Sequence, residues 1–212
     1  MLVEKKVKDY VTAVQSGDPT PGGGSVAALA GGLGAALTNM VGNLTFGKKA
    51  YNDVPEESQK KLKENFKDLE KAVEALMIIV DEDSTAFDGV MTALKMPKET
   101  EKEKLARSTA IQEGYKEALV VPLRCAEECL HVLHLQEVFA HYGNINAITD
   151  VGVGTLLAYT GLEGALFNVN INLKSIKDEE FKRKTEETAY QLLSKGKTIK
   201  EELLEIVYRR LS

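Results

Sequence analysis

Two long segments of this chain carry almost no charge, and they restrict the folds that the sequence can adopt. Residues 22–47 contain no charged side chain, and residues 151–173 contain Glu163 alone. Either segment is long enough to cross a bilayer as a helix. Both are rich in Gly, Asn and Thr rather than in Leu, Ile and Phe, so their drive to enter a membrane is weak. We therefore predict the two central helices of a helical bundle and no membrane span.

The rest of the chain has the apolar spacing of amphipathic helices, and no segment has the alternation of a strand. The spacing predicts helices at about 3–14, 25–49, 55–95, 99–119, 122–142, 146–173 and 178–211. Pro122 is expected to end or kink a helix, because proline lacks an N–H donor. No repeat or linker is visible, so we predict one all-α domain over residues 1–212.

Charge and cysteine content argue against several classes of protein. The net charge is −5 with a pI of about 5.4, which gives no electrostatic basis for binding nucleic acid or an anionic membrane. The chain has two cysteines, and its first residues run directly into charged side chains, so we expect no disulfide framework and no secretory signal. A cytoplasmic location is the resulting expectation.

Asp83 interrupts the apolar seam of the third predicted helix. Residues from position 62 to position 94 keep alternating spacings of four and three, and Asp83 falls between Val80 and Phe87, where a core residue is expected. A buried carboxylate is costly unless it is paired. It is therefore either a structural group with a partner or a functional one, and its position favours an acid–base role.

The glycine run before the second helix is a second candidate site. Gly22, Gly23, Gly24 and Ser25 expose backbone N–H groups at the positive end of a helix. The run fits either an anion-binding turn or an ordinary flexible entry to the helix. It has the spacing of neither a Walker loop nor a dinucleotide fingerprint.

A polar stripe on the sixth predicted helix is a third candidate. Its members recur every four residues and are Thr160, Gly164, Asn168 and Asn172. Two asparagines on one helix face predict hydrogen bonds either to a flat polar ligand or to a neighbouring helix. Asp150 is either a charge at the helix start or a second acid facing the site.

The sequence does not indicate a metal site. Cys125 and Cys129 are four residues apart on a predicted helix, and three histidines follow at positions 131, 134 and 141. This spacing does not match a closed zinc pattern. We interpret the thiols as small core residues.

Several motifs resemble the cyclodeaminase domain of the formiminotransferase-cyclodeaminase family, whose stand-alone relatives include methenyltetrahydrofolate cyclohydrolases. The strongest are the run from Pro21 to Ala28 and the Asn168-Val169-Asn170-Ile171-Asn172-Leu173 run. The resemblance covers nearly the whole chain, and its further motifs include Gly34-Ala35-Ala36-Leu37, Asp81, Asp83, Gln112-Glu113-Gly114, Val121-Pro122-Leu123, Gly143-Asn144 and Asp150.

The resemblance implies an all-helical dimer acting on a tetrahydrofolate derivative. The expected reaction is cyclodeamination of 5-formiminotetrahydrofolate to 5,10-methenyltetrahydrofolate and ammonia. The alternatives are 5,10-methenyltetrahydrofolate cyclohydrolase and a non-catalytic helical dimer that binds folate. Neither reaction requires a metal or a redox cofactor. The additional formiminotransferase region of the bifunctional relatives is not recognisable in these 212 residues.

These reactions suggest a role for each candidate residue. Asp83 would act as base and then as acid, with Asp150 in reserve for a second proton. The run 22–25 would contact a glutamate-tail carboxylate or the pterin edge. Asn168 and Asn172 would orient the pterin or the formimino group, and Asn144 would also bind substrate.

Overall fold

The computed structural model describes all 212 residues and contains helices and no strand. The α-helices are α1 Val7–Gln15, α2 Gly23–Thr45, α3 Glu56–Glu82, α4 Asp88–Leu94, α5 Glu101–Tyr142, α6 Ile148–Leu173 and α7 Glu179–Leu211. Short 3₁₀ turns at Lys49–Asp53 and Ile145–Ala147 precede α3 and α6. One cluster of buried apolar residues joins α1, α2, α3, α5, α6 and α7. The predicted all-α class is confirmed.

The two charge-poor segments form α2 and α6, which run antiparallel at the centre of the molecule. Their backbones approach closely at two glycines. A Cβ atom added at Gly34 would lie 2.6 Å from the carbonyl oxygen of Gly154, and one added at Gly154 would lie 2.9 Å from the carbonyl oxygen of Gly34. By length and hydropathy alone α2 could cross a membrane, but here it packs against α3, α5 and α6.

The third predicted helix is in fact two helices, so the prediction of one helix over 55–95 is wrong. α3 ends at Glu82, and α4 begins at Asp88. Between them Ser84 Oγ donates to the Asp81 carbonyl at 2.6 Å, and Thr85 Oγ1 donates to the Glu82 carbonyl at 3.2 Å. Hydroxyl side chains that bond the local backbone in this way compete with helix continuation. Asp83 therefore lies at a helix end, not within a seam.

The two helices predicted on either side of Pro122 are one continuous helix, α5. Of the two effects expected of this proline, a helix end or a kink, the helix end is wrong. Proline removes one backbone hydrogen bond and crowds the preceding turn. At Pro122 tertiary packing compensates for that loss, because the ring is buried and α5 contacts α2, α3, α4, α6 and α7 along its length.

The contact between α2 and α6 generates a prediction about stability. Replacing Gly34 with Ala should lower the free energy of unfolding by about 1–3 kcal/mol, because the added methyl group meets backbone that cannot move aside. Urea unfolding followed by circular dichroism measures the change. Gly17→Ala is the matched control, since nothing lies within 4 Å of a Cβ at that loop position. Equal stability of the two variants would contradict the close packing.

Candidate functional site

A polar cleft of about 440 Å³ opens where the start of α2, the turn between α3 and α4, and the end of α6 meet. Residues from the turn before α2, from α4 and from the middle of α5 complete its walls. The lining residues are Pro19, Thr20, Gly22, Gly23, Gly24, Asp83, Ser84, Ala86, Phe87, Asp88, Met91, Ala118, Pro122, Asn168 and Asn172. The structure thus brings Asp83, three glycines and two asparagines of the predicted site into one cleft.

The carboxylate of Asp83 lies against the first turn of α2. Its Oδ2 accepts a hydrogen bond from the backbone N–H of Ser25 at 2.8 Å. A Cβ atom at Gly24 would overlap the same carboxylate, so only glycine allows this approach. The anion that the positive end of α2 holds is therefore a side chain of the protein itself.

Two opposing effects act on the pKa of the Asp83 carboxyl group. Burial raises the pKa of the Asp83 carboxyl, and the hydrogen bond from the Ser25 N–H lowers it by a smaller amount. The lining of the cleft adds a second carboxylate, Asp88, and no lysine, arginine or histidine. This arrangement favours a cationic ligand and a carboxyl group that can exchange a proton.

The two asparagines of α6 line the same cleft as this carboxylate. Asn168 donates from Nδ2 to the Gly164 carbonyl at 2.9 Å, which leaves its amide oxygen available. Asn172 is 7% exposed and also lines the cleft. Its side-chain amide makes no hydrogen bond to another residue of the chain. A side-chain amide that has no protein partner and opens into the cleft is available to bind a ligand.

Ser25 lies next to the Asp83 carboxylate. Its side chain is fully buried and does not line the cleft. The hydroxyl donates to the Val80 carbonyl at 3.0 Å and lies 2.9 Å from the hydroxyl of Tyr10, while the N–H holds Asp83. Ser25 therefore holds the Asp83 carboxylate through its backbone while its side chain lies outside the cleft, and substrate contact by Ser25 stays a prediction.

Asn144 and Asp150 lie at the opposite end of α6 from the cleft within one chain. Asp150 is in the first turn of α6, so the helical rise places it about 27 Å along the axis from Asn168. Asn144 donates from Nδ2 to the Leu44 carbonyl at 2.8 Å and accepts from the Asn146 N–H at 3.1 Å. It ties the end of α2 to the start of α6, and the structure does not bring either residue to Asp83.

Several cleft residues were not predicted from the sequence. Phe87 and Met91 form an apolar wall, and Asp88, which could be read as a solvated charge, lines the same space. Tyr10, which lies outside this cleft and was given no role from the sequence, lies within hydrogen-bond distance of Ser25. The wall that α5 contributes could have been predicted from the Val121-Pro122-Leu123 motif of the family resemblance.

A second cleft, of about 350 Å³, lies on the other side of Ser25 and is almost entirely apolar. It is lined by Leu2, Val3, Lys5, Val7, Tyr10, Val11, Val14, Val26, Leu29, Met77 and Val80. Its one charged lining residue is a lysine. Its titratable lining groups are Lys5 and Tyr10, and the Tyr10 hydroxyl is hydrogen-bonded to buried Ser25. The polar cleft, which holds a carboxyl group beside two amides, is therefore the candidate active site.

The two cysteines belong to the core, as predicted. Cys125 and Cys129 are free and buried on α5. The sulfur of Cys129 fills the space beside Gly161, where an added Cβ would approach it to 2.7 Å. No group of three His, Cys, Asp or Glu side chains is arranged so that it could hold a metal ion.

Comparison with known proteins identifies the family. A family model described as formiminotransferase-cyclodeaminase matches residues 6–191. The chain is 38% identical to a methenyltetrahydrofolate cyclohydrolase of Methylorubrum extorquens over 212 residues, which is the whole of both chains. It is 37% identical to the formimidoyltransferase-cyclodeaminase of Mus musculus over 197 residues, 93% of this chain and 36% of the mouse protein.

The fold gives the same result. The crystal structure of a formiminotetrahydrofolate cyclodeaminase from Thermotoga maritima superposes with a TM-score of 0.87, at 26% identity and over all of both chains. The resemblance carried by the glycine run and by residues 168–173 is thereby confirmed. The chain belongs to the formiminotransferase-cyclodeaminase family.

Proposed function

We propose that the chain catalyses cyclodeamination of 5-formiminotetrahydrofolate, with Asp83 as the acid–base residue. The observation that carries the proposal is a partly buried carboxyl group with a raised pKa at the wall of a cleft that has no cationic side chain. The family relatives named as cyclodeaminases support the reaction class. The substrate fits the cleft electrostatically, because its reacting carbon is part of a cationic amidinium group.

The proposed reaction forms one carbon–nitrogen bond and breaks another. N10 attacks the carbon of the formimino group, which is protonated on its nitrogen, and Asp83 takes the proton that N10 loses. Asp83 then delivers this proton to the formimino nitrogen, whose bond to carbon breaks as ammonia leaves. The product is the 5,10-methenyl cation. Proton transfer by a positioned carboxyl group of this kind contributes about 10²–10⁴-fold to a rate.

The other lining residues hold the substrate. Asn168 and Asn172 offer amide groups to the polar edge of the pterin. Phe87 and Met91 provide an apolar surface for its ring. Gly23 is exposed, and the nearest atom to an added Cβ is the Asn168 Nδ2 at 3.7 Å, so the absence of a side chain there keeps the entrance to the cleft open.

Cyclohydrolysis of 5,10-methenyltetrahydrofolate is the second candidate function. A relative named for that activity matches all of this chain at 38% identity, which favours the reaction specifically. Water would attack the methenyl carbon, and the bond from that carbon to N5 would break. Of the two water protons, Asp83 would pass one to N5, and the other would be released. The same cleft and the same carboxyl group would serve both reactions.

The Asp83→Asn variant tests the acid–base role. The amide keeps the shape of the carboxyl group and cannot titrate, so kcat should fall by about 10²-fold or more. The appearance of methenyl absorbance from 5-formiminotetrahydrofolate, and its decay from 5,10-methenyltetrahydrofolate, measure both reactions. Asp53→Asn, in an exposed turn, is the matched control. Wild-type turnover in Asp83→Asn, together with loss in Asp150→Asn, would transfer the role to Asp150.

The stability of this variant separates a catalytic role from a structural one. The raised pKa of Asp83 means that its contribution to stability is fully present below the ordinary pKa of about 3.9 and is lost as pH rises through the folded-state value. Ionisation of this partly buried group at higher pH therefore costs stability. Asp83→Asn should unfold at the same or a higher urea concentration than wild type at pH 7, with a smaller difference near pH 4. Marked destabilisation at pH 7 would indicate a structural carboxylate.

We further propose that the working unit is a homodimer formed through α2 and α6. The side chains of Val26, Leu33, Met40 and Leu44 on α2 are each 39–49% exposed. α6 adds a second exposed apolar row, made up of Val153, Leu156, Phe167 and Ile171. Two adjacent charge-poor helices with apolar outer faces suit an isologous contact with a second copy. The proposed position of α2 at the subunit interface rests on this surface.

The dimer is testable by placing a charge on that face. Leu33→Asp should convert a dimer at micromolar concentration to a monomer, because it buries an unpaired carboxylate at the contact. Light scattering coupled to size-exclusion chromatography reports the mass. Leu105→Asp, at a position 71% exposed on α5, should remain dimeric. A monomeric wild type, or a dimeric Leu33→Asp variant, would contradict the proposed interface.

A further inference from the structure

Ser25 lies at the junction of α1, α2 and α3 and is completely buried. Its hydroxyl donates to the Val80 carbonyl at 3.0 Å, and the Tyr10 hydroxyl lies 2.9 Å from the same oxygen. A carbonyl can only accept, so the one proton of Ser25 is directed to Val80. Tyr10, which is 8% exposed, is therefore the donor to Ser25.

The Ser25 hydroxyl replaces a missing helical hydrogen bond at the end of α3. In a continuing helix the Val80 carbonyl would accept from the N–H of Ser84. That N–H instead donates to the Asp81 carbonyl at 3.1 Å. The Ser25 hydroxyl donates to the Val80 carbonyl in its place. Asp83 follows three residues later and is held by the Ser25 backbone. One residue thus fixes both the end of α3 and the carboxylate.

We propose that Tyr10 is a positioning residue for Asp83 and acts through Ser25. The hydroxyl of Tyr10 holds the Ser25 side chain against Val80, and this keeps the Ser25 N–H aimed at Asp83 Oδ2. The inference rests on the proposed acid–base role of Asp83. Tyr10 lines the apolar cleft and not the polar one, so it has no contact with the substrate site.

Tyr10→Phe removes the hydroxyl group and keeps the buried ring. We expect kcat to fall by about three- to tenfold, because a displaced catalytic group loses alignment with the reacting atoms. KM should stay within about twofold, since the substrate-contacting surface is unchanged. Tyr190→Phe, at a position 73% exposed on α7, is the matched control and should behave as wild type.

The pH dependence provides a readout that a purely structural role would not change. The Ser25 N–H lowers the pKa of Asp83, so weakening that bond should raise this pKa and move the acidic limb of the kcat/KM profile to higher pH. Burial also raises the pKa of Tyr10, so the substitution removes no charge at neutral pH. The other charged groups near the junction keep their charge in the variant; they are Asp81, Glu82, Asp88 and Arg124.

A double-mutant cycle and an NMR titration test whether Tyr10 acts on Asp83 through Ser25. If Tyr10 acts through Ser25, the Tyr10→Phe/Ser25→Ala variant should be no slower than Ser25→Ala alone. A ¹³C NMR titration of the Asp83 carboxyl in Tyr10→Phe should show the raised pKa without any turnover, and it remains decisive if Ser25→Ala does not fold. Additive losses, or an unchanged Asp83 pKa, would overturn the proposal. Absence of turnover in the wild type would refute the proposed function instead, while the titration would still test the positioning.

Discussion

The close antiparallel packing of α2 and α6 is the contact on which the rest of the molecule depends. Because the glycines at positions 34 and 154 allow the two backbones to touch, the start of α2 lies beside the end of α6. That arrangement places Gly23 next to Asn168, and the polar cleft forms at this junction. The absence of charge that first marks these segments in the sequence follows from their central position, where an unpaired charge would be costly.

The electrostatics of the cleft are governed by the position of Asp83 at two helix ends. The carboxylate stands at the C-terminal end of α3, which disfavours an anion, and at the N-terminal end of α2, which favours one. Burial raises its pKa, and the Ser25 N–H limits the rise. A carboxyl group balanced in this way can accept and return a proton, as chemistry at a cationic one-carbon centre requires.

The sequence predicts the fold class and the main elements of the site, and it fails where tertiary contacts decide. Helical spacing revealed α2, α6 and α7, but it could not show that Ser84 and Thr85 would end α3 or that packing would carry α5 through Pro122. Asp83 was singled out because it broke an apolar seam, although it actually lies in a turn. The roles of Asn144 and Tyr10 depend on which helices meet in the fold, and local sequence patterns do not contain that information.

A crystal structure with bound 5-formyltetrahydrofolate, a stable analogue of the substrates, would test the central claim most directly. The account predicts that the one-carbon group lies within about 3.2 Å of an Asp83 carboxyl oxygen, or one water molecule away. The pterin should lie between Phe87 and the amides of Asn168 and Asn172. A ligand bound in the apolar cleft beneath α1, or at the other end of α6 near Asp150, would contradict the assignment of this cleft as the active site.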